Sequence, residues 1–150
     1  MSVDALTQLS SAQAVTATAY STNTYDLGVA RDVGIGEPIV INITVPTTFT
    51  AAGAATMQIQ VVSSANADLT SHNVLVQTDA LGKSEFAAGR RPICLTVPPS
   101  LLAALPVGER YLGLRYVVAT GPMTAGAVDA YINNVAIGGG KHYASGFTVA

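Results

Sequence analysis

The stretch IVINITV at residues 39–45 decides the fold class of this chain. Its odd-numbered positions are all isoleucine or valine, whereas the even-numbered positions include Asn42 and Thr44. Alternation with a period of two residues is typical of an antiparallel strand that buries one face and exposes the other. The same alternation returns at 56–62 and 110–120, so these segments are predicted to be strands of the same kind.

Weaker strand patterns, rich in Val, Thr and Tyr, occupy much of the remaining chain. They lie at residues 13–19, 24–29, 73–78, 92–97 and 127–137. Clusters of Gly, Pro, Asp and Thr separate the strands and are typical of turns. The clusters lie at residues 34–38, 46–48, 79–82, 98–100 and 121–122. Helical patterns are limited to about one turn at 4–9 and another at 100–105.

These patterns predict an all-β protein, a single-domain β-sandwich or jelly roll of about eight antiparallel strands with short terminal arms. A length of 150 residues suits one domain. We expect an N-terminal arm at residues 1–12, the β-sandwich (jelly-roll) domain at 13–137 and a C-terminal tail at 138–150.

The composition excludes several classes of protein. Only 11% of the residues are charged, less than half of the roughly 25% in an average soluble domain. The mean hydropathy is +0.42, yet the best apolar stretch, residues 93–107, is broken by prolines, so we expect no membrane span. A pI near 5.5 and a net charge of −2 argue against direct nucleic-acid binding. The single cysteine, Cys94, excludes an intramolecular disulfide, and no signal peptide is expected.

No constellation of residues in the sequence predicts catalysis. His72 and His142 have no neighbouring ligand residues at metal-binding spacing. Residues 77–84 end in the Gly-Lys-Ser of a phosphate-binding loop, but Gln77 replaces the first glycine and no helix pattern follows. No Gly-x-Ser-x-Gly nucleophile motif occurs. We therefore expect a protein that is not an enzyme, with no catalytic residues, no cofactor and no metal.

The residues that stand out are suited to contact with another protein. The chain has five arginines against two lysines, and six tyrosines without a tryptophan. Arg and Tyr are enriched at protein interfaces. A triple glycine at 138–140 precedes two aromatic residues, and the first residues of the chain include two leucines. The candidate interface residues are Leu6, Leu9, Arg90, Arg91, Tyr143 and Phe147.

An ordered set of motifs resembles the small capsid cement (decoration) proteins of tailed bacteriophages. Its first members are the run AQAVTATA at 12–19, DLG at 26–28, RDVGIGEP at 31–38 and FTAAGAAT at 49–56. The later members are ERYLGLRY at 109–116, GPMTAG at 121–126 and SGFTV at 145–149. The resemblance extends over nearly the whole chain, roughly residues 12–149.

This resemblance implies a jelly-roll protein on the exterior of an icosahedral phage head. Such a protein clamps neighbouring subunits of the major capsid protein and is made in the host cytoplasm. The resemblance also implies a homo-oligomer, a dimer or a trimer, with no direct contact to nucleic acid or membrane. The family has no catalytic residues to carry over to this chain.

Two other classes remain open on the residues alone. One is a β-sandwich module of a virion that binds a receptor or a carbohydrate, although the chain has no tryptophan to stack on a sugar ring. The other is a small glycosidase, because distant carboxylates could meet in the folded chain.

Overall fold

A computed structural model of the protein describes residues 5–27 and 38–133, and within them the chain is mainly β-strand. The strands are β1 (Gln8–Ala14), β2 (Ala19–Tyr20), β3 (Tyr25–Asp26), β4 (Ile39–Thr50), β5 (Thr56–Ser64), β6 (Asn73–Gln77), β7 (Leu81–Gly82), β8 (Ile93–Val97), β9 (Tyr111–Ala119) and β10 (Ala125–Asn133). A 3₁₀ turn spans Lys83–Glu85, and one short helix, α1, spans Pro99–Ala103. None of the helical segments in these residues is long and apolar enough to cross a membrane.

The strands form two antiparallel sheets with the pairing of a jelly roll. One sheet has the order β1-β10-β4-β8 and the other the order β2-β9-β5-β6, with β3 also on β9 and β7 also on β5. Counting β2 with β3, and β6 with β7, leaves eight strands. The first then pairs with the eighth, the second with the seventh, the third with the sixth and the fourth with the fifth. This symmetric pairing, in which the first half of the chain pairs antiparallel with the second half, is typical of a jelly roll. The predicted all-β sandwich fold is therefore confirmed.

Strand β4 runs through a proline at which the sequence predicts a turn. Pairs Asp129↔Thr44 and Ala127↔Thr47 advance two residues on β10 but three on β4, which places a bulge at Val45 and Pro46. A bulge leaves one residue unpaired, so the missing N–H of Pro46 interrupts no ladder hydrogen bond. The prediction that residues 46–48 end the strand is therefore wrong.

The N-terminal boundary also differs from the prediction. Strand β1 begins at Gln8 and pairs with β10, so residues 8–12 belong to the sheet and not to a separate arm. The weaker pattern at 13–19 is not one continuous strand, because β1 ends at Ala14, residues 16–18 form a bend and β2 begins at Ala19. The side chain of Gln13 spans this bend, accepting a hydrogen bond from Thr22 N and donating one to Tyr20 O. The expected tail at 138–150 lies outside the described residues.

The core lies between the sheets and includes one polar bridge. Its apolar members include Ile41 and Ile43 of β4 and Leu114 of β9, all fully buried. Tyr116 is also fully buried, and its hydroxyl lies 2.8 Å from Ser10 Oγ on the opposite sheet. Because Ser10 donates its own proton to Gln13, Tyr116 is the donor in this pair. The phenol therefore connects the two sheets in its neutral form.

This buried phenol predicts a loss of stability at alkaline pH. Burial, with a further contribution from Asp129, raises the pKa of Tyr116 above its usual value near 10. An ionisable group whose folded pKa is raised stabilises the fold fully below the unfolded pKa, so this contribution falls as the pH rises above about 10, by about 1.4 kcal/mol per pH unit. Denaturant unfolding between pH 8 and 11 should show this decrease, and Tyr116→Phe should reduce it. Equal slopes in the two proteins would contradict the assignment.

Candidate partner-binding site

The loop between β7 and β8 is fixed to the sandwich by an aromatic anchor. Phe86 is fully buried and meets the ring of Phe49 edge to face, with 5.8 Å between centroids. The backbone N–H of Phe49 also donates to the carbonyl of Phe86 at 3.0 Å. The middle of the loop is therefore part of the core.

Polar contacts hold the same loop on either side of this anchor. Lys83 Nζ donates to the carbonyl oxygens of Ala51 and Gly53, at 2.6 and 3.0 Å, and so ties the loop to the β4–β5 connection. The N–H of Ala88 donates to Thr48 Oγ1 at 2.9 Å. The loop thus has little freedom left to lose when it contacts a partner.

The backbone around the two adjacent arginines is restricted by its sequence. A turn closes from Arg90 N to the carbonyl of Ala87, with Gly89 at a φ of 80° in its third position. A type II turn needs a positive φ there, which glycine adopts without strain. Arg91 precedes Pro92, and a residue before proline is confined to extended conformations. Both arginine side chains are therefore attached to a backbone segment of restricted conformation.

These residues border a groove of about 310 Å³ lined by Leu81, Glu85, Arg90, Arg91 and Ile93. Arg90 Nη1 lies 2.6 Å from Glu85 Oε2, and both side chains are about half exposed, at 52% and 51%. Arg90 also donates to the carbonyl of Ser84 at 3.3 Å. Arg91 is exposed and has no hydrogen-bond or ion-pair partner among the described residues. The groove thus combines two apolar walls with one neutralised and one unneutralised arginine.

The electrostatics of the groove favour an anionic group. Among the described residues, its lining carries two guanidinium groups and one carboxylate. Guanidinium holds a carboxylate through a planar fork of N–H donors. The half-buried side chains of Leu81 and Ile93 add apolar area beside that charge. The arrangement can bind an acidic side chain, and the described part of its lining contains one carboxylate, that of Glu85.

The other predicted interface residues are not gathered at this groove. Leu6 is 80% exposed and precedes β1, whereas Arg91 precedes β8. Strands β1 and β8 are the two outer strands of one sheet, about 14 Å apart at a spacing of about 4.8 Å per strand. Leu6 lies beside the end of β10, because Thr7 O accepts a hydrogen bond from Ile132 N. The two candidate regions therefore occupy opposite corners of the sheet.

The prediction that Leu9 is an interface residue is wrong, and two other predicted interface residues lie outside the described range. Leu9 is 1% exposed and packs in the core, so its side chain does not offer a surface to a partner. Leu9 belongs to β1, which begins at Gln8, and its side chain faces the core. The predicted arm at residues 1–12 placed it outside the sheet. Tyr143 and Phe147 lie outside the described residues.

A polar network on the outer face of the second sheet was not predicted from the sequence. Gln60 Nε2 donates to Gln58 Oε1 and Gln77 Oε1 at 3.2 and 3.0 Å. Arg115 donates to Gln60 Oε1 at 3.2 Å. The period-2 pattern identifies these side chains as outward-facing, but their contact depends on the register that sets Gln60 opposite both Arg115 and Gln77. These side chains satisfy one another's hydrogen-bonding groups, so we assign the network a structural role on the outer face of the sheet.

The remaining ionisable groups of interest also have structural partners. Glu109 is buried, and its carboxylate accepts hydrogen bonds from Ser63 Oγ, at 2.6 Å, and from Asn73 Nδ2. His72 Nδ1 lies 3.0 Å from the hydroxyl of Tyr20, and the rings meet edge to face. Cys94 is half-buried, with Sγ 3.0 Å from Asn42 Oδ1. In the part of the chain that the structure describes, no three His, Cys, Asp or Glu residues are grouped to hold a metal ion.

The fold and the groove together define a small jelly-roll protein with two arginines at a groove in a loop that is anchored to the core. Comparison with protein families then identifies the chain. The family model Bbp16 matches residues 9–132, from β1 to β10, and the chain belongs to the Bbp16 family. No curated protein sequence matches the chain.

Proposed function

We propose that this protein is a capsid cement (decoration) protein that binds the exterior of a phage head and stabilises contacts between major capsid protein subunits, without catalysis. The geometric observation that carries the proposal is the groove at Arg90 and Arg91, an exposed cationic site on a loop anchored in the core by Phe86. A binding protein needs a rigid surface of this kind, and among the described residues the groove has one carboxylate, Glu85, which pairs with Arg90. The resemblance of the ordered motifs to cement proteins supplies the class of partner.

The composition supports the same proposal. A surface with few ions loses less solvation free energy when it is pressed against another protein. With 11% charged residues, the chain satisfies much of its outer polar surface with amides and hydroxyls, as the network around Gln60 illustrates. Burial of apolar area then contributes about 25 cal/mol per Å² toward association.

The proposed assembly is a homo-oligomer, a dimer or a trimer, on the outer surface of the virion. Repeated copies on a symmetric shell make weak individual contacts effective, because neighbouring contacts raise the effective concentration of each one. The opposite positions of Leu6 and Arg91 on one sheet are suited to contacts with two different neighbours.

Reconstitution on phage heads tests this proposal. Heads of the phage that encodes this chain, prepared without it, are mixed with the purified protein, pelleted through a cushion and imaged by electron cryomicroscopy. We expect saturable co-sedimentation and new density on the outer surface of the shell, together with greater resistance of the heads to heat. Absence of the chain from the shell exterior would falsify the proposal. Binding to a glycan array without binding to heads would instead favour the receptor- or carbohydrate-binding module.

A further inference from the structure

We propose that the groove lined by Leu81, Glu85, Arg90, Arg91 and Ile93 is a receptor for an acidic side chain, a glutamate or aspartate presented by the partner protein. The identification of that partner as the capsid protein rests on the proposed function. The chemistry of the groove is argued from the residues described above.

The first argument is the charge that the groove leaves unneutralised. Glu85, the one carboxylate in the described part of its lining, is engaged by Arg90 at 2.6 Å. Arg91 has no carboxylate within ion-pair distance among residues 5–27 and 38–133. By comparison, Arg110 forms two hydrogen bonds to the carboxylate of Asp26. Arg91 is therefore a cation at a concave surface for which residues 5–27 and 38–133 supply no counter-ion.

The second argument is the apolar lining. Leu81 is the first residue of β7 and Ile93 the first of β8, so both walls are set by strand pairing. A carboxylate carried on methylene groups can pair with Arg91 while its stem contacts these walls. A phosphodiester has no such apolar stem to contact Leu81 and Ile93 and carries its charge on a larger group. The lining thus favours an acidic side chain over a nucleic-acid backbone, as does the net charge of −2.

The third argument is the rigidity of the loop. The anchor Phe86, the clamp of Lys83 and the restriction of Arg91 by Pro92 hold the cation in place before any partner arrives. Ordering of flexible side chains and loops is one of the main costs of association, and a fixed loop avoids much of it. A volume of about 310 Å³ lies near the lower end of the roughly 300–1,000 Å³ typical of ligand pockets, which suits one or two side chains.

A titration with small probes tests the chemistry without the partner. The isotope-labelled protein is titrated by NMR with N-acetyl-glutamate methylamide, with the neutral N-acetyl-glutamine methylamide and with inorganic phosphate. We expect saturable shifts of the Arg91 side-chain and Ile93 methyl signals with the glutamate probe alone. No shifts, or equal shifts with the glutamine probe, would overturn the inference. Stronger binding of phosphate than of the glutamate probe would overturn it as well, in favour of a phosphate-bearing ligand.

Charge reversal on the assembled particle tests the partner. Arg91→Glu should weaken binding to heads by about tenfold or more, because reversal replaces an attraction with a repulsion. The double variant Ala67→Glu/Val107→Glu changes the net charge by the same two units at exposed positions outside the groove lining and should bind like the wild-type protein. Equal binding by the wild-type protein and both variants would overturn the role of the groove in attachment. Glutamate binding in the groove by a protein that ignores heads would overturn the proposed function and leave this inference standing.

Discussion

Replacing Phe86 by alanine is expected to lower the free energy of unfolding by about 3–5 kcal/mol, the usual cost of truncating a buried phenylalanine. Phe86 is fully buried in the core of the sandwich, and its edge-to-face contact with Phe49 would be lost in the variant. For a domain of this size the change corresponds to a fall in Tm of about 6–20 °C. Thermal unfolding followed by calorimetry measures it.

A matched truncation at the surface provides the control. Val107 is fully exposed, so Val107→Ala should change the stability by no more than about 0.5 kcal/mol. Because Phe86 also anchors the arginine loop, Phe86→Ala should weaken the binding of heads even at temperatures where the variant is folded. A variant with native Tm would show that the loop is not part of the cooperative core.

Replacing Gly126 by alanine is expected to destabilise the fold by about 2–6 kcal/mol, the sum of a strained backbone and an overpacked core. Gly126 has a φ of 138°, a conformation that L side chains rarely adopt. A Cβ atom there would lie 2.3 Å from Cδ1 of Phe49. That ring is buried against Phe86, so it cannot move aside without disturbing the loop anchor. Chemical denaturation of the variant measures the loss.

Two further variants separate the causes. Gly53→Ala adds a methyl group to the turn after β4, where no atom lies within 4 Å, and should be neutral within about 0.5 kcal/mol. The double variant Gly126→Ala/Phe49→Leu should lose less stability than the sum of its two single changes, because the smaller side chain relieves the clash. Strict additivity would show that the ring of Phe49 is not the obstacle.

The sequence predicts much of the fold because the strong strands carry a large apolar residue at every second position. The expected exposed face is wrong in part, since residues 39–43 of β4 and 59–64 of β5 are buried on both faces. The patterns at 39–45, 56–62 and 110–120 correspond to β4, β5 and β9, which are central strands in the two sheets. Strand β1 was misplaced because its sequence, QLSSAQA, has a single large apolar residue. Strand β1 pairs with β10, whose residues are more than 100 positions away in sequence, and the residues around β1 carry no pattern that reveals such a distant partner.

The candidate site was predicted only in part. Arg90 and Arg91 belong to a residue type that is common at interfaces, and the structure places both at one groove. The groove itself depends on tertiary contacts: Phe86 reaching Phe49, Lys83 reaching the β4–β5 turn, and Glu85 pairing with one arginine and not the other. No spacing rule distinguishes the paired arginine from its neighbour, since both are adjacent in sequence and exposed.

The symmetric pairing of the strands also sets the order in which the chain can fold on the ribosome. The hairpin of β5 and β6 joins residues close in sequence, for example Ser63 and Asn73, and can form early. The contact of Gln8 with Tyr131 must wait until nearly the whole described chain has been synthesised. Non-local pairing of this kind makes all-β sandwiches slow to fold, typically over milliseconds to seconds. Until β10 has been synthesised, β4 lacks one of its two neighbours, and the unpaired backbone groups along that edge are open to pairing with another copy.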